Sequence, residues 1–147
     1  MKKIFATLIT CIALITTNAN AFPIIGKGTV YKVSDGDTYI INIGAKEFRQ
    51  FQEQASNNSH QYLYSKYKSV KMRLAGANTP ESNHVDPSKN TESGKRVSAI
   101  VKQALTGADV EYRCTKWGYY GRPICSVSAN GVDVAKWLID NNYAQPY

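Results

Sequence analysis

The hydrophobic positions of this chain form short alternating runs at first and recur at helical spacing later. Five runs rich in β-branched and aromatic residues predict β-strands at residues 29–33, 39–43, 70–75, 110–115 and 124–128. The sequence Asp35-Gly36-Asp37 separates the first two runs. Because Asp and Gly favour tight turns, these two strands are expected to form a hairpin.

Two stretches with helical spacing complete the pattern. The first has Thr91 or Ser93 as its expected N-cap and ends at Gly107; its apolar positions are Val97, Ile100, Val101, Ala104 and Leu105. The second follows an Asn130-Gly131 turn and is expected to carry Tyr143 near its end; its first apolar positions are Val134, Trp137 and Leu138. This element order predicts a mainly β fold with helices (α+β), an OB-type five-stranded barrel with helices packed on it.

The first 21 residues have the pattern of a cleaved signal peptide. Lys2 and Lys3 precede an apolar run over residues 4–15, and Ala19-Asn20-Ala21 matches a small-x-small cleavage site. A membrane anchor is the alternative, but the run is shorter than the ~20 apolar residues that cross a bilayer. We therefore expect a mature domain of residues 22–147, exported to the periplasm or secreted, without stable membrane insertion.

Two cysteines remain after this cleavage. Cys114 and Cys125 flank the turn around Tyr119-Tyr120 symmetrically, so an antiparallel hairpin would place them opposite one another. In an exported chain such a pair indicates a disulfide, which would add roughly 2–3 kcal/mol of stability. Two independent buried thiols are the alternative. His60 and His84 are the only further soft metal ligands and lie far from the cysteines in sequence, so a zinc-type site is not supported.

Charge points to the class of partner. The chain has 18 Lys and Arg against 11 Asp and Glu, and it stays basic without Lys2 and Lys3. A basic surface favours polyanions such as nucleic acid or an acidic membrane face.

Three ordered segments carry the candidate chemistry: D-G-D-T at residues 35–38, R-L-A-G-A-N-T-P-E at residues 73–81 and Y-G-R at residues 120–122. Together they supply acidic groups for a hard cation, a carboxylate for taking a proton from water and two guanidinium groups for a phosphate. Taken alone, each segment could have a structural role instead of a catalytic one. It could form a hairpin turn, place an exposed arginine beside a neighbouring strand, or shape a loop. Their joint, ordered occurrence favours phosphodiester hydrolysis.

These segments resemble the motifs of the staphylococcal nuclease-like (thermonuclease) family, and the resemblance extends from Gly28 to Ala144. It implies that Asp37 is a calcium ligand and that Thr79 offers its backbone carbonyl. Asn78 stands where the family's second ligating aspartate is normally found.

The resemblance also implies the roles of the remaining residues. Glu81 matches the family's general base, and Arg73 and Arg122 match its two phosphate-contacting arginines. Tyr120 falls where a family tyrosine contacts a terminal phosphate. Tyr119 is the neighbouring substrate-binding candidate, where Gly118-Tyr119 replaces the family's Asp-Lys.

The activity implied by this resemblance is a calcium-dependent endonuclease acting on DNA and RNA and leaving 5′-hydroxyl and 3′-phosphate ends, and we expect a monomer. A catalytically impaired nucleic-acid-binding module on the same barrel is the alternative, which Asn78 favours. A barrel that binds oligosaccharide or peptide is a weaker third possibility, since paired arginines beside acidic residues suit a phosphate ligand better.

More positions separate Asp37 from Arg73 than two strands and a turn require, which predicts an insertion at about residues 45–68, at the rim near the site. The spacing of Phe48, Phe51 and Ala55 suggests a short helix that residues 57–59 end. A small cap packed on the barrel is the favoured interpretation. The alternative is a surface on which bases stack while cations meet phosphates, formed by Tyr62, Tyr64, Lys66, Tyr67 and Lys68. His60 and His84 are expected to be solvated loop residues.

Overall fold

The computed structural model describes residues 22–147, so the predicted signal peptide and its cleavage site lie outside the described residues. The described strands are β1 (Ile24–Asp35), β2 (Thr38–Ile43), β3 (Leu63–Tyr64), β4 (Ser69–Leu74), β5 (Ala77–Asn78), β6 (Asp109–Trp117), β7 (Pro123–Ala129), β8 (Val132–Asp133) and β9 (Gln145–Pro146). The helices are α1 (Ala45–Gln54), α2 (Glu92–Leu105) and α3 (Val134–Asp140). Short 3-10 helices lie at His60–Tyr62 and Pro87–Lys89. None of the described helices is both long and apolar enough to cross a membrane.

Five strands form a closed barrel, in the order β4, β2, β1, β6 and β7, and a parallel pairing of β4 with β7 closes it. The long strand β1 makes this possible because its second half pairs with β2 and its first half pairs with β6. With the three helices outside the strands, the structure confirms the predicted OB-type α+β fold.

The barrel interior is filled by the buried face of each strand. In β2 and β4, buried residues alternate with half-buried ones, so that Tyr39, Ile41, Met72 and Leu74 point inward. The inward side chains of the other strands add to this core, which fixes the strand ends that carry the polar motifs.

Helix α2 begins and ends as its capping residues predict. The hydroxyl of Thr91 accepts a hydrogen bond from the Gly94 N–H at 2.8 Å, which identifies Thr91, rather than Ser93, as the N-cap. Gly107 follows the helix with a φ of +79°, a conformation in which glycine is favoured.

Helix α3 is shorter than predicted. It ends at Asp140, so Tyr143 lies beyond the helix rather than near its end. Its ring packs edge-on against Trp137 at 5.8 Å between centroids, which explains the apolar spacing seen in the sequence.

The inserted segment does pack on the barrel through α1. Phe48 and Phe51 are buried, and the Phe51 ring meets the edge of Trp117 at 6.2 Å between centroids. The helix ends at Gln54, just before Ala55. The part of the insertion that follows is more open, with Tyr64 and Tyr67 exposed.

The two mature cysteines form the predicted disulfide. Cys114 and Cys125 are directly paired residues of β6 and β7, and both are fully buried. The bond spans the hairpin whose turn carries Tyr120 and Arg122.

Candidate active site

The three sequence motifs meet at one rim of the barrel. Thr38 in β2 pairs with Arg73 in β4, and Arg73 pairs in turn with Ile124 in β7. These pairings bring the β1–β2 turn, the start of the loop after β4 and the turn before β7 together. They surround a cleft of about 480 Å³, whose charged lining residues are Asp35, Asp37, Lys71, Arg73, Glu81, Lys89 and Arg122.

Asp37 is buried at the base of this rim, where its negative charge is paired with the positive charge of Arg73. Its Oδ2 accepts a hydrogen bond from the Thr79 N–H at 2.9 Å and lies 3.0 Å from Nη1 of Arg73. Its Oδ1 accepts a bond from the Thr38 hydroxyl at 3.3 Å. The carboxylate is therefore held in place by the backbone that follows Asn78 as well as by its own strand turn.

Arg73 is held from several sides. Besides Asp37, its Nη1 donates to the Ala77 carbonyl at 3.1 Å, and its Nη2 donates to Oδ1 of Asn78 at 2.8 Å. The guanidinium carbon also lies 5.3 Å from the centroid of the Tyr147 ring. Because its orientation is set in advance, this arginine loses little conformational freedom when it binds an anion.

Asn78 is exposed, and its amide oxygen is engaged by Arg73. It lies in β5, which pairs with β9 near the C-terminus, and it is not among the lining residues of the cleft. Thr79, by contrast, is buried beside Asp37, and its hydroxyl has no hydrogen-bond partner among the described residues. The structure thus places the predicted metal residues in one region, but it turns Asn78 toward Arg73.

The glycine of D-G-D-T, Gly36, is needed because there is no room for a side chain at this position. A Cβ at Gly36 would lie 2.7 Å from the Thr79 hydroxyl oxygen, inside van der Waals contact. The turn also fixes Asp35, whose Oδ1 accepts bonds from the Gly36 N–H at 2.9 Å and the Ser82 hydroxyl at 2.5 Å. The two aspartates therefore lie on adjacent sides of a tightly packed turn.

Glu81 lies in the cleft wall and is positioned through its backbone. Its carbonyl oxygen accepts the Thr91 N–H at 2.9 Å, and Gly94 packs so closely against it that any side chain at position 94 would overlap. Burial raises the pKa of the Glu81 carboxyl, and the negative charges of Asp35 and Asp37 raise it further. Residues at the start of helix α2 thus position Glu81 through the Glu81 backbone, and these contacts do not involve the Glu81 carboxyl group.

Arg122 reaches the cleft from the β6–β7 turn. Its Nη1 donates to the Thr38 hydroxyl at 3.0 Å, and the residue is half-buried. The preceding Gly121 has a φ of +90°, and a Cβ there would lie 2.8 Å from the Asn58 carbonyl oxygen and 3.1 Å from the Ser59 nitrogen. The inserted segment therefore supports the turn that carries Arg122.

The two tyrosines of this turn differ in position. Tyr120 lines the cleft and is mostly exposed. Tyr119 is 93% exposed, is not among the lining residues and contacts the Tyr120 ring edge-on. Its place in a substrate site remains a prediction.

Several residues that line the cleft were not predicted to do so or were expected elsewhere. Lys71 lies two residues before Arg73 on β4, so strand alternation alone would have placed it on the same face. Tyr62, which the sequence placed only in the alternative base-stacking surface of the insertion, reaches the cleft. His84, expected to be solvated, is half-buried in the cleft wall, and its Nδ1 accepts the Asp86 N–H at 2.9 Å; His60 is exposed as expected.

The oxygen atoms at this rim suit a hard cation. Among residues 22–147, no three His, Cys, Asp or Glu side chains are grouped closely enough to hold a metal ion by themselves. Calcium, however, also uses carbonyl groups and water as ligands. Carboxylates of Asp35, Asp37 and Glu81 face one cleft, and Thr79, whose buried hydroxyl has no partner among the described residues, donates its N–H to Asp37. The chemistry of this donor set therefore fits such a cation.

Comparison with known proteins yields one family. The family model described as staphylococcal nuclease homologue matches residues 71–147, from β4 to the C-terminus. The matched part includes both arginines and Glu81, whereas the D-G-D-T turn precedes it. A search of the curated proteins found no match to this chain.

Proposed function

Because the chain belongs to the staphylococcal nuclease homologue family, we propose that it is an exported, calcium-dependent endonuclease that hydrolyses phosphodiester bonds of DNA and RNA. The observation that carries this proposal is the convergence of Arg73, Arg122 and Glu81 on one cleft beside two aspartates. We further propose that it acts as a monomer.

The two arginines bind the phosphate that is cleaved. Guanidinium groups donate paired hydrogen bonds to non-bridging phosphate oxygens, and these bonds strengthen as negative charge develops in the pentavalent state. Arg73 is fixed by Asp37 and Ala77, so its donors are set before substrate arrives. Arg122 contacts the Thr38 hydroxyl, a neutral partner that a phosphate can replace.

Glu81 orients the attacking water and takes its proton. The water oxygen forms a bond to phosphorus while the bond to the 5′ oxygen breaks. The departing 5′ oxygen takes a proton from solvent and Glu81 returns its proton to solvent, which leaves a 5′-hydroxyl and a 3′-phosphate. A pKa raised by burial and by neighbouring carboxylates makes this group a stronger base than an ordinary glutamate once it is ionised. Its backbone anchorage to Thr91 leaves the carboxyl group available to the cleft.

Asp37, the Thr79 carbonyl and the Asn78 amide oxygen would hold the cation, with water completing the set. When bound, calcium supplies positive charge that draws a phosphate oxygen toward the site. Tyr120 would contact the substrate at the cleft entrance, where its ring is exposed.

A second function is favoured by one observation. Asn78 carries no charge, and its amide oxygen already accepts a hydrogen bond from Arg73. A barrel with a weakened metal site and retained arginines would bind nucleic acid without cleaving it. Its affinity would fall steeply with salt, because cations that contact phosphates release counterions.

A calcium titration tests the two functions. We expect the unsubstituted protein to cleave DNA only with calcium, with activity rising into the ~millimolar range, because the number of charged ligands sets calcium affinity. Asn78→Asp should restore a negative charge and lower the calcium concentration needed for half-maximal cleavage. Asn130→Asp, in the turn before β8, is the matched control and should leave the requirement unchanged.

The outcomes separate cleanly. Equal calcium requirements for the unsubstituted protein and Asn78→Asp would remove Asn78 from the metal site. Binding without cleavage at saturating calcium would reject the nuclease and support the binding module.

Export is tested on the same protein. We expect the mature chain to begin at Phe22 and to contain the Cys114–Cys125 bond, since residues 1–21 have a signal-peptide pattern. Intact-mass analysis of protein from the native host, before and after reduction, measures both features. Finding the chain with residues 1–21 retained would contradict the proposed export.

A further inference from the structure

Strand β1 presents two consecutive residues on the outside of the barrel. Val30 and Lys32 pair with the consecutive residues Ile41 and Ile40 of β2, so Tyr31 is an extra residue in a β-bulge. Without the bulge, strand alternation would turn one of Tyr31 and Lys32 inward. With it, both side chains are exposed, and Tyr31 is 59% exposed.

Lys32 continues a row that begins in the cleft. It pairs with Ile40 in β2, and Ile40 pairs with Lys71 in β4. At the usual strand spacing, Lys32 and Lys71 are about 10 Å apart across the sheet. Lys71 itself lines the cleft together with Arg122. A band of positive charge therefore extends from the cleft across three strands.

The surroundings of Lys71 reflect this crowding of positive charge. Burial lowers the pKa of Lys71 most, and the charges of Arg122 and Lys32 lower it further. No acidic residue occurs at positions 30–32 of β1, 40–43 of β2 and 69–71 of β4, although the Asp109 carboxylate accepts a hydrogen bond from Thr29, further along β1. An anion bound between Lys32 and Lys71 would relieve the repulsion among these positive charges.

Aromatic rings lie directly beside the band. The ring of Tyr31 stacks on that of Tyr67 with 6.2 Å between centroids and 19° between planes. Tyr67 comes from the inserted segment and is also 59% exposed. The Lys66 ammonium lies 5.1 Å from the Tyr67 ring centroid, which adds a cation at the far end.

We propose that this surface binds a single-stranded nucleic acid that extends out of the cleft. We name it the tyrosine track, and its residues are Lys71, Lys32, Tyr31, Tyr67 and Lys66. Lys71 and Lys32 contact phosphates, and a base stacks on the exposed tyrosine pair. The proposal rests on the proposed function, since it takes the cleft to receive nucleic acid.

The combination of groups determines the type of partner. A basic groove with exposed aromatic rings binds unpaired bases without reading their sequence, because every base has a stacking face. Bases in a duplex are already paired and stacked, so a duplex gains only the charge contacts. The track should therefore favour single strands over duplexes.

Oligonucleotide binding in the presence of chelator tests the track without requiring cleavage. The probe is a fluorescein-labelled single strand of about 12 nucleotides, measured by anisotropy against a labelled dinucleotide and a duplex. We expect Tyr31→Ala combined with Tyr67→Ala to weaken single-strand binding by about tenfold or more, the loss of a stacked base. Binding of the dinucleotide should change by less than about twofold, because it fills only the cleft.

Matched variants separate stacking from charge and from folding. Tyr31→Phe with Tyr67→Phe keeps both rings and should retain binding. Lys32→Gln should lower the slope of log affinity against log salt by about 0.7, whereas Lys102→Gln on the exposed side of α2 should not. Thermal midpoints of all variants verify that they remain folded.

The following results would overturn the track: unchanged single-strand affinity in the double Ala variant, an equal loss on duplex and single strand, or no single-strand binding by the unsubstituted protein. The proposed hydrolysis fails in a different way. If the protein binds single strands through the track but does not cleave them with calcium, the proposed track stands and the proposed nuclease activity is wrong.

Discussion

Glu81→Gln is expected to lower the cleavage rate by about 10²- to 10⁴-fold, the range for removal of a general base. Glutamine has the same size, and Thr91 and Gly94 hold residue 81 through its backbone, so the cleft should keep its shape. Nucleic-acid affinity in chelator should accordingly remain close to that of the unsubstituted protein. Single-turnover cleavage with saturating calcium measures the first quantity, and anisotropy measures the second.

The control for this substitution is Glu53→Gln, which removes an exposed carboxylate from α1. It should leave both quantities unchanged. If Glu81→Gln cleaves at the unsubstituted rate, another group takes the proton and the proposed base is wrong.

Arg122→Ala is expected to lower the cleavage rate by about 10²- to 10³-fold with little change in thermal stability. The Arg122 side chain donates its hydrogen bond to the neutral Thr38 hydroxyl. Removing the arginine therefore leaves no buried charge without a partner. Arg73→Ala should also impair cleavage, but it leaves the buried Asp37 carboxylate without its cationic partner. Breaking such a pair costs about 3–5 kcal/mol, so the thermal midpoint should fall markedly.

Rate and thermal midpoint measured together distinguish the two arginines. Arg122→Lys is the matched variant, because it keeps the charge but loses the planar donor fork. It should recover only part of the rate. Equal destabilisation by Arg73→Ala and Arg122→Ala, or a normal rate in Arg122→Ala, would contradict these assignments.

The fold could be predicted from the sequence because its determinants are local. The β1–β2 hairpin follows from Asp35-Gly36-Asp37, and α2 follows from apolar spacing with Thr91 or Ser93 as N-cap candidates and a glycine after its end. The disulfide follows from two cysteines placed symmetrically about a turn. Short-range chemistry of this kind is encoded in neighbouring residues.

Contacts between distant segments could not be predicted in the same way. The bond from Arg73 to Asn78 joins two residues to which motif position alone assigned separate roles, one with phosphate and one with a metal. The support of Glu81 by Gly94 is hidden because a glycine inside a helix has no local signal for what packs on it. The Tyr31–Tyr67 stack depends on the bulge in β1 and on the inserted segment. These two features are far apart in the sequence, so the pattern around one does not predict its contact with the other.

The packing of Asn58 and Ser59 against Gly121 links the insertion to the residue next to Arg122. This contact lies outside the strand pairings that close the barrel. Proteins open in parts, and segments with few ladder hydrogen bonds open at a lower free energy than core strands. Detachment of residues 55–62 would free the arginine-bearing turn while the barrel remained folded. We therefore expect the protein to lose its ability to cleave nucleic acid on heating through this local opening, before the whole domain melts cooperatively.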